Sequence, residues 1–282
     1  MPPMPAWFEV APGVRLHALC WPGQPAPGRV PFLLVHGLSS NARLWLEVAG
    51  DLAGAGHPVT AVDLRSHGDS DAPPHGYDTA TAVADLATLG LGRTLVAGQS
   101  WGGNIAVALA AKHPDLVAGL ALVDGGWIDL PSQYPDWAAC AAALRPPDLD
   151  GLTAAKFWPV LRASHPSWSE QAVAATAANL RELPDGTLQR RLPVPAHMRI
   201  VRSMWDDPPG RYYPLVTAPA LLLPALSTDP AQAAAKLARV RAAAAALPDA
   251  QLRSYPGADH DLHAQYPHEI AGDLLGLAAR VA

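Results

Sequence analysis

The sequence predicts an α/β fold in which a mostly parallel sheet is flanked by helices. Short apolar runs alternate along the chain with longer helical patterns, which is typical of βαβ units. Half of the 282 residues are hydrophobic and only 16% are charged, so the chain can bury a large core. The alternation stops in the middle of the chain and then resumes, which indicates an insertion within one domain.

The first part of the chain supplies six predicted strands. The turn residues Ala11-Pro12-Gly13 join two of them, Trp7–Val10 and Val14–Trp21, as a hairpin. Four short apolar runs follow and are predicted to be buried strands, namely Val30–Val35, Pro58–Asp63, Thr94–Gly98 and Val117–Val123. Helical patterns lie between these strands, at Trp45–Ala55, Thr79–Leu89 and Ser100–Lys112.

After the sixth strand the pattern breaks. Residues 126–214 contain helical segments and many prolines but no run that predicts a buried strand. The alternation resumes with strand Ala220–Leu223, helix Ala231–Leu247, strand Gln251–Tyr255 and helix His263–Val281. We therefore expect an eight-stranded core domain formed by residues 1–125 and 215–282, with a helical cap at 126–214 inserted after the sixth strand.

Aromatic residues are concentrated in the expected cap, which holds nine of the 18 in the chain. Two interpretations are open, and both can hold for different residues. A small helical layer needs large side chains to build its own core, and aromatic side chains also line apolar ligand pockets. The pocket candidates are Trp127, Trp137, Trp158 and Trp205.

Composition and charge exclude several classes of function. The net charge is −5 and no basic cluster is present, so nucleic-acid binding is not expected. No apolar run reaches the roughly 18 residues of a membrane span, and the N-terminus lacks the features of a secretory signal. With only Cys20 and Cys140 we expect free thiols. A cytoplasmic monomer or homodimer acting on a small molecule is the expectation.

The strongest chemical signal is the segment Gly98-Gln99-Ser100-Trp101-Gly102, a G-x-S-x-G pattern between an apolar strand and an apolar helix. So tight a turn requires glycine at the flanking positions and exposes the serine hydroxyl at the start of the helix. There the helix dipole favours developing negative charge. We therefore predict that Ser100 is a nucleophile.

A serine nucleophile needs a base, and His260 is the best-placed histidine. It follows the last predicted strand, so it reaches the carboxyl edge of the sheet, as Ser100 does. His263 is the competitor, but it is expected to start the final helix. The neighbouring Asp259 and Asp261 suggest a metal site only weakly, because no second cluster of ligands accompanies them, and no metal is expected.

Two carboxylates could orient His260. Asp229 follows strand Ala220–Leu223 and fits the chain order Ser, Asp, His, although an aspartate before Pro230 is also a good helix N-cap. Asp124 ends the strand after the nucleophile helix and is the alternative acid. The expected oxyanion donors are the amides of Trp101 and Leu38, since Gly37 lets the backbone turn towards the site.

These residues resemble the α/β-hydrolase superfamily, in its capped serine-hydrolase branch. The segment Asp63-Leu64-Arg65-Ser66-His67-Gly68-Asp69-Ser70 is similar to the D-x-R-G-H-G-x-S loop of that family, with Ser66 in place of glycine. The family's G-x-x-D pattern after the seventh strand is absent around Asp229. The resemblance implies an esterase that works through an acyl-enzyme without metal or organic cofactor, and it implies a structural role for the Asp63 loop.

The resemblance leaves several activities open. Family members with an aspartate nucleophile, which open epoxides or cleave carbon–halogen bonds, are excluded by Ser100, and Leu38-Ser39-Ser40 does not match the H-G-G-P-G loop of proline iminopeptidases. Carbon–carbon bond hydrolases, lactonases, thioesterases and cofactor-free perhydrolases share the same residues. A small-molecule receptor that retains the triad without turnover is the alternative of a different class.

Overall fold

The computed structural model describes residues 2–24 and 29–281. Eight strands form one sheet in the order β1-β2-β4-β3-β5-β6-β9-β11. Their bounds are β1 Met4–Ala11, β2 Val14–Trp21, β3 Phe32–Val35, β4 Val59–Val62, β5 Thr94–Gln99, β6 Val117–Val123, β9 Ala220–Leu223 and β11 Ala250–Leu252. The strands from β4 to β11 are parallel, and β1 and β2 add an antiparallel edge. The predicted fold class is confirmed.

Ten α-helices accompany the strands in the described ranges. They are α1 Leu46–Gly54, α2 Thr79–Ala87, α3 Trp101–Lys112, α4 Trp137–Leu144, α5 Ala154–Ser164, α6 Glu170–Ala177, α7 Val194–Asp206, α8 Pro230–Ala246, α9 Leu262–Gln265 and α10 Pro267–Val281. Short 3-10 turns lie at Ala42–Trp45, Pro209–Arg211 and Tyr213–Leu215. None of the described helices has both the length and the apolar character needed to cross a membrane.

The sheet separates two apolar clusters, because successive side chains of a strand point to opposite faces. On one face Leu33 and Val96 pack with α2, α3 and α8. On the other face Leu34 and Leu95 pack with α1 and α10. Buried residues of α7, such as Ile200, join the first cluster, so the segment after β6 rests on the same core as the sheet.

The structure corrects two predicted elements near the C-terminus. The strand expected at Gln251–Tyr255 is divided between β11 and a second short pair, in which β12 (Tyr255–Pro256) lies beside β10 (Ala225–Leu226). Pro224, which has no N–H to continue the ladder, separates β9 from β10. The single helix expected at His263–Val281 is broken at Tyr266, because Pro267 disfavours helical geometry in the residue before it.

The cap segment contains a small hairpin that the sequence pattern does not predict. Strands β7 (Leu180–Glu182) and β8 (Leu188–Arg190) pair antiparallel. Between them Gly186 has φ +80°, and Asp185 accepts a hydrogen bond from the amide of Thr187. The strands are short and largely exposed, so they lack the apolar run that announces a buried strand. Cys20 and Cys140 are both free, as expected.

Candidate active site

Ser100 lies at the sharp turn between β5 and α3. Its backbone has φ 54° and ψ −122°, a strained conformation for a residue with a side chain. Glycine is required around it: a Cβ on Gly98 would collide with the carbonyl of Gly102, and a Cβ on Gly125 would collide with the backbone of Ser100. Gly125 belongs to the loop after β6 and was not found from the sequence. The turn places Ser100, half-buried, at the N-terminus of α3.

His260 lies in the loop after β12, and its ring is held by Asp124. Nδ1 of His260 is 2.6 Å from Oδ2 of Asp124. An ionised carboxylate only accepts, so Nδ1 carries the proton and Nε2 keeps its lone pair. The side chain of Asp124 is fully buried, whereas that of His260 is 54% exposed. Gln99, the residue before Ser100, donates from Nε2 to the carbonyl of His260 and ties this loop to β5.

The pKa of His260 is raised above its usual value. Desolvation disfavours the imidazolium, but the hydrogen bond to Asp124 and the charge of that carboxylate outweigh it. His263, the competing histidine, is fully buried in α9, and its pKa is lowered to about 3 by desolvation. It packs against Trp45 at 4.3 Å between ring centroids. Of the two, His260 therefore has the environment of a base.

The expectation that Asp229 orients His260 is wrong. Asp229 is exposed and caps α8, where its Oδ1 accepts from the amides of Ala231 at 2.8 Å and Gln232 at 3.1 Å. This is the N-cap geometry that the Asp-Pro pair also predicted. The carboxylate beside His260 belongs to the alternative residue, Asp124, because β6 ends at the same sheet edge directly next to the Ser100 turn.

Asp124 has a second partner, a lysine, that sequence reasoning missed. Nζ of Lys236, on α8, lies 2.6 Å from Oδ1 and 2.7 Å from Oδ2 of Asp124. Oδ1 also accepts from the amide of Ala225 at 3.0 Å. The carboxylate thus bridges His260 and Lys236. The one sequence signal was the rarity of lysine in a chain whose basic residues are mostly arginine.

The loop after β3 brings a backbone amide to the same place. Nδ1 of His36 donates to the carbonyl of Gly37 at 2.7 Å, and Nε2 of His36 accepts from the amide of Leu64 at 3.0 Å. In a trans peptide the N–H points away from the carbonyl of the same unit, so His36 fixes the direction of the Leu38 N–H. His36 is buried and its pKa is lowered by desolvation, which fits this structural role.

The Asp63 loop supports the site without entering it. The buried Asp63 carboxylate accepts from Nδ1 of His17 at 2.8 Å and from the amides of Ala42 and Asp69. Ser66 has φ +61°, which explains why the corresponding family position is usually glycine, and its hydroxyl pairs with Tyr77.

A model of the alpha/beta hydrolase family matches residues 32–273. The chain belongs to this family. It is 28% identical to the 2-(acetamidomethylene)succinate hydrolase of Mesorhizobium japonicum over 249 residues, or 86% of this chain and 84% of that protein. A crystal structure of an E-2-(acetamidomethylene)succinate hydrolase superposes with a TM-score of 0.76 at 22% identity, and the match covers 98% of both chains.

Other relatives match over shorter stretches. An esterase of Mycobacterium tuberculosis is 41% identical over 127 residues, which is 43% of this chain and 40% of the esterase. The chain spans 35% to 40% of the length of the first three curated relatives that it matches, this esterase among them. The family and its esterase relatives are consistent with a hydrolytic enzyme.

One cavity of about 420 Å³ in this α/β hydrolase collects the residues described above. Ser100, Asp124 and His260 line it together with Leu38 and Trp101, the two expected oxyanion donors. The amides of Leu38 and Trp101 have no hydrogen-bond partner within residues 2–24 and 29–281, and Ser100 Oγ makes no hydrogen bond to His260 within those ranges. The three side chains and two amides share one chamber.

The aromatic prediction holds for one of its four candidates. Trp127 lines the cavity of Ser100, as does Tyr134. Trp137, Trp158 and Trp205 are not among its lining residues, which corrects the expectation for all three. Trp137 and Trp205 instead pack edge to face at 6.1 Å, and Trp158 packs against Phe157 at 5.0 Å. All three are half-buried. Trp137 and Trp205 pack against the first apolar cluster, which agrees with the other interpretation of the aromatic content, whereas Trp158 belongs to none of the apolar clusters of the described residues.

Proposed function

We propose that this protein is a serine hydrolase that cleaves a carboxylic ester or related acyl bond of a small, fairly apolar substrate through Ser100, His260 and Asp124. The observation that carries the proposal is the hydrogen bond from His260 to the fully buried Asp124 in the cavity that also holds the strained Ser100. A nucleophile, a base with a free Nε2, and a carboxylate that fixes its tautomer are the three parts that acyl transfer requires.

In the proposed mechanism, substrate brings Ser100 Oγ and His260 Nε2 into hydrogen-bond contact. Oγ attacks the carbonyl carbon while Nε2 takes the hydroxyl proton, and Asp124 stabilises the imidazolium. The imidazolium then returns this proton to the leaving alcohol, which departs and leaves an acyl-enzyme. Water, deprotonated by His260 Nε2, attacks the acyl carbon; the imidazolium then gives this proton to Ser100 Oγ as the acyl–oxygen bond breaks, which releases the acid and restores the serine and the neutral histidine.

The negative charge of each tetrahedral intermediate is assigned to the Leu38 and Trp101 amides. Leu38 is aimed by the His36–Gly37 hydrogen bond, and Trp101 is the first residue of α3, so its N–H is not used within the helix. One such donor is worth about 3 kcal/mol in the transition state.

The apolar part of the cavity wall favours an apolar substrate body. Trp127, Ile128, Leu130, Leu144 and Met204 form this wall. A second candidate function is hydrolysis of a bond other than an ester. The 2-(acetamidomethylene)succinate hydrolase of Mesorhizobium japonicum, which this chain matches over 84% of its length, favours this candidate. Lactones and carbon–carbon bonds would use the same three residues.

The test is hydrolysis of a p-nitrophenyl ester series from acetate to palmitate by the wild type, Ser100→Ala and the matched control Ser164→Ala. Ser164 is exposed and ends α5, a helix that contributes no residue to the cavity lining. We expect kcat/KM to fall by about 10⁴-fold or more in Ser100→Ala alone. Full activity in Ser100→Ala would overturn the proposal. Product in large excess over enzyme separates an enzyme from a receptor, and labelling of Ser100 by a fluorophosphonate without ester turnover would redirect the search to other acyl bonds.

A further inference from the structure

The formal charges that face the cavity do not balance. Asp124, Lys236 and Arg239 are the residues of fixed charge that line it. The ammonium of Lys236 contacts both oxygens of Asp124, so this pair is compensated. His197 and His260 also line the cavity. Desolvation lowers the pKa of His197, which favours its neutral form, and any charge on His260 would be positive and would add to the excess. Arg239 is an exposed residue at the rim of the cavity, and its positive charge has no counter-charge there.

The position of Arg239 allows its guanidinium to bind an anionic group of a ligand in the cavity. It lies on α8 three residues after Lys236, so the two side chains share one face of the helix. Within residues 2–24 and 29–281 its guanidinium makes no hydrogen bond or ion pair, in contrast to Arg65, which binds both oxygens of Asp85. A guanidinium has five donors arranged to bind a carboxylate in bidentate fashion.

We propose that Arg239 binds a carboxylate carried by the substrate at a distance from the scissile bond, so that the natural substrate is an ester or related acyl compound with a free acid group. The inference rests on the proposed function, because it assumes that the substrate reacts at Ser100. It narrows that function to anionic substrates: an apolar body lies against Trp127 and Ile128, and the acid group meets Arg239. An uncharged substrate of the same shape gains no ion pair, because the exposed guanidinium stays solvated.

Binding is measured first, on the Ser100→Ala background, so that no turnover is needed. Monomethyl adipate and dimethyl adipate differ by one negative charge and one methyl group, and both are titrated calorimetrically into the protein. We expect the monoanion to bind about tenfold more tightly than the diester. Arg239→Gln should abolish this preference, and Arg239→Lys should retain part of it.

Arg241→Gln is the matched control. Arg241 lies on the same helix and is exposed, and it does not line the cavity, so its replacement makes the same change in net charge elsewhere. We expect the preference for the monoanion to survive in this variant. Equal loss in both variants would show a general charge effect and would overturn the proposal, as would a preference that persists in Arg239→Gln or no preference for the monoanion in the parent protein.

Turnover then separates this inference from the proposed function. The p-nitrophenyl monoester of adipic acid and p-nitrophenyl 6-methylheptanoate have the same shape, but only the first carries a carboxylate. In each protein that retains Ser100, kcat/KM for the adipate ester is divided by kcat/KM for the methylheptanoate ester. A ratio that falls about tenfold in Arg239→Gln supports both statements. Binding preference without any hydrolysis in wild type refutes the ester hydrolase alone, and hydrolysis with a ratio that is unchanged in Arg239→Gln refutes the carboxylate site alone.

Discussion

Lys236 should set the pH at which His260 becomes an effective base. Oδ2 of Asp124 lies 2.7 Å from Nζ of Lys236 and 2.6 Å from Nδ1 of His260. Because both nitrogens contact the same oxygen, they are separated by about 5 Å at most, and the ammonium opposes protonation of the imidazole. Lys236→Met removes the charge and keeps much of the length of the side chain.

The size of the effect follows from Coulomb's law. Two unit charges about 5 Å apart interact by roughly 0.8 kcal/mol in water and by roughly 3.3 kcal/mol at an effective dielectric constant of about 20. The Lys236 side chain is 26% exposed, so solvent screens part of its charge and we take about 1 kcal/mol. This energy corresponds to a displacement of about 0.7 pH unit.

The assay is the pH dependence of kcat/KM for a neutral p-nitrophenyl ester. His260 acts as a base only when neutral, so activity falls as the pH drops through its pKa, which is already raised by Asp124. Loss of the neighbouring cation favours the imidazolium further, and the acid limb of the Lys236→Met profile should move to higher pH by about 0.7 unit.

Two further variants make this result specific. Lys236→Arg keeps the charge and should leave the acid limb near its wild-type position. Lys156→Met removes an exposed lysine of α5 and should not move it. An acid limb in Lys236→Met that stays in place, or that moves to lower pH, would refute the electrostatic reasoning and leave Lys236 as a merely structural partner of Asp124.

Two other predictions concern the acid and the turn. Asp124→Asn should reduce kcat by about 10⁴-fold, whereas Asp229→Ala should leave kcat unchanged and cost about 1 kcal/mol of unfolding free energy through the lost N-cap. Steady-state kinetics measure kcat and denaturant titration measures the unfolding free energy; a loss of kcat in Asp229→Ala and not in Asp124→Asn would restore Asp229 as the acid. Gly125→Ala should lower the unfolding free energy by about 1–3 kcal/mol and impair turnover, because the added Cβ has no room beside Ser100. Thermal melts and activity assays measure this, with Gly272→Ala as the control, since Gly272 has open space around it. Wild-type behaviour of Gly125→Ala would contradict the packing argument.

The alternation of apolar strands and helices determined the α/β class, and the G-x-S-x-G turn determined the position of Ser100. These are local features: an apolar run must be buried, and a tight turn with φ 54° at Ser100 requires glycine beside it. The break in the pattern after β6 likewise predicted the inserted segment. The oxyanion loop could also be located from the His36-Gly37 pair, but the structure gives a different reason for the glycine: a Cβ on Gly37 would collide with Oε1 of Gln99 and crowd Ser100.

Only the tertiary structure decided which side chains meet. His260 and Asp124 are 136 residues apart in sequence, and the sequence favoured Asp229 over Asp124. Asp124 pairs with His260 because the end of β6 lies beside the His260 loop. Asp229 does not, because its carboxylate binds the amides at the start of α8. Lys236 and Arg239 lie in an alanine-rich helix whose sequence carries no motif, and only its packing against the sheet edge brings their charges to the cavity. Backbone constraints act between neighbouring residues, so a short stretch of sequence reveals them. Ion pairs between distant residues depend on their separation in the folded structure, which a short stretch of sequence does not reveal.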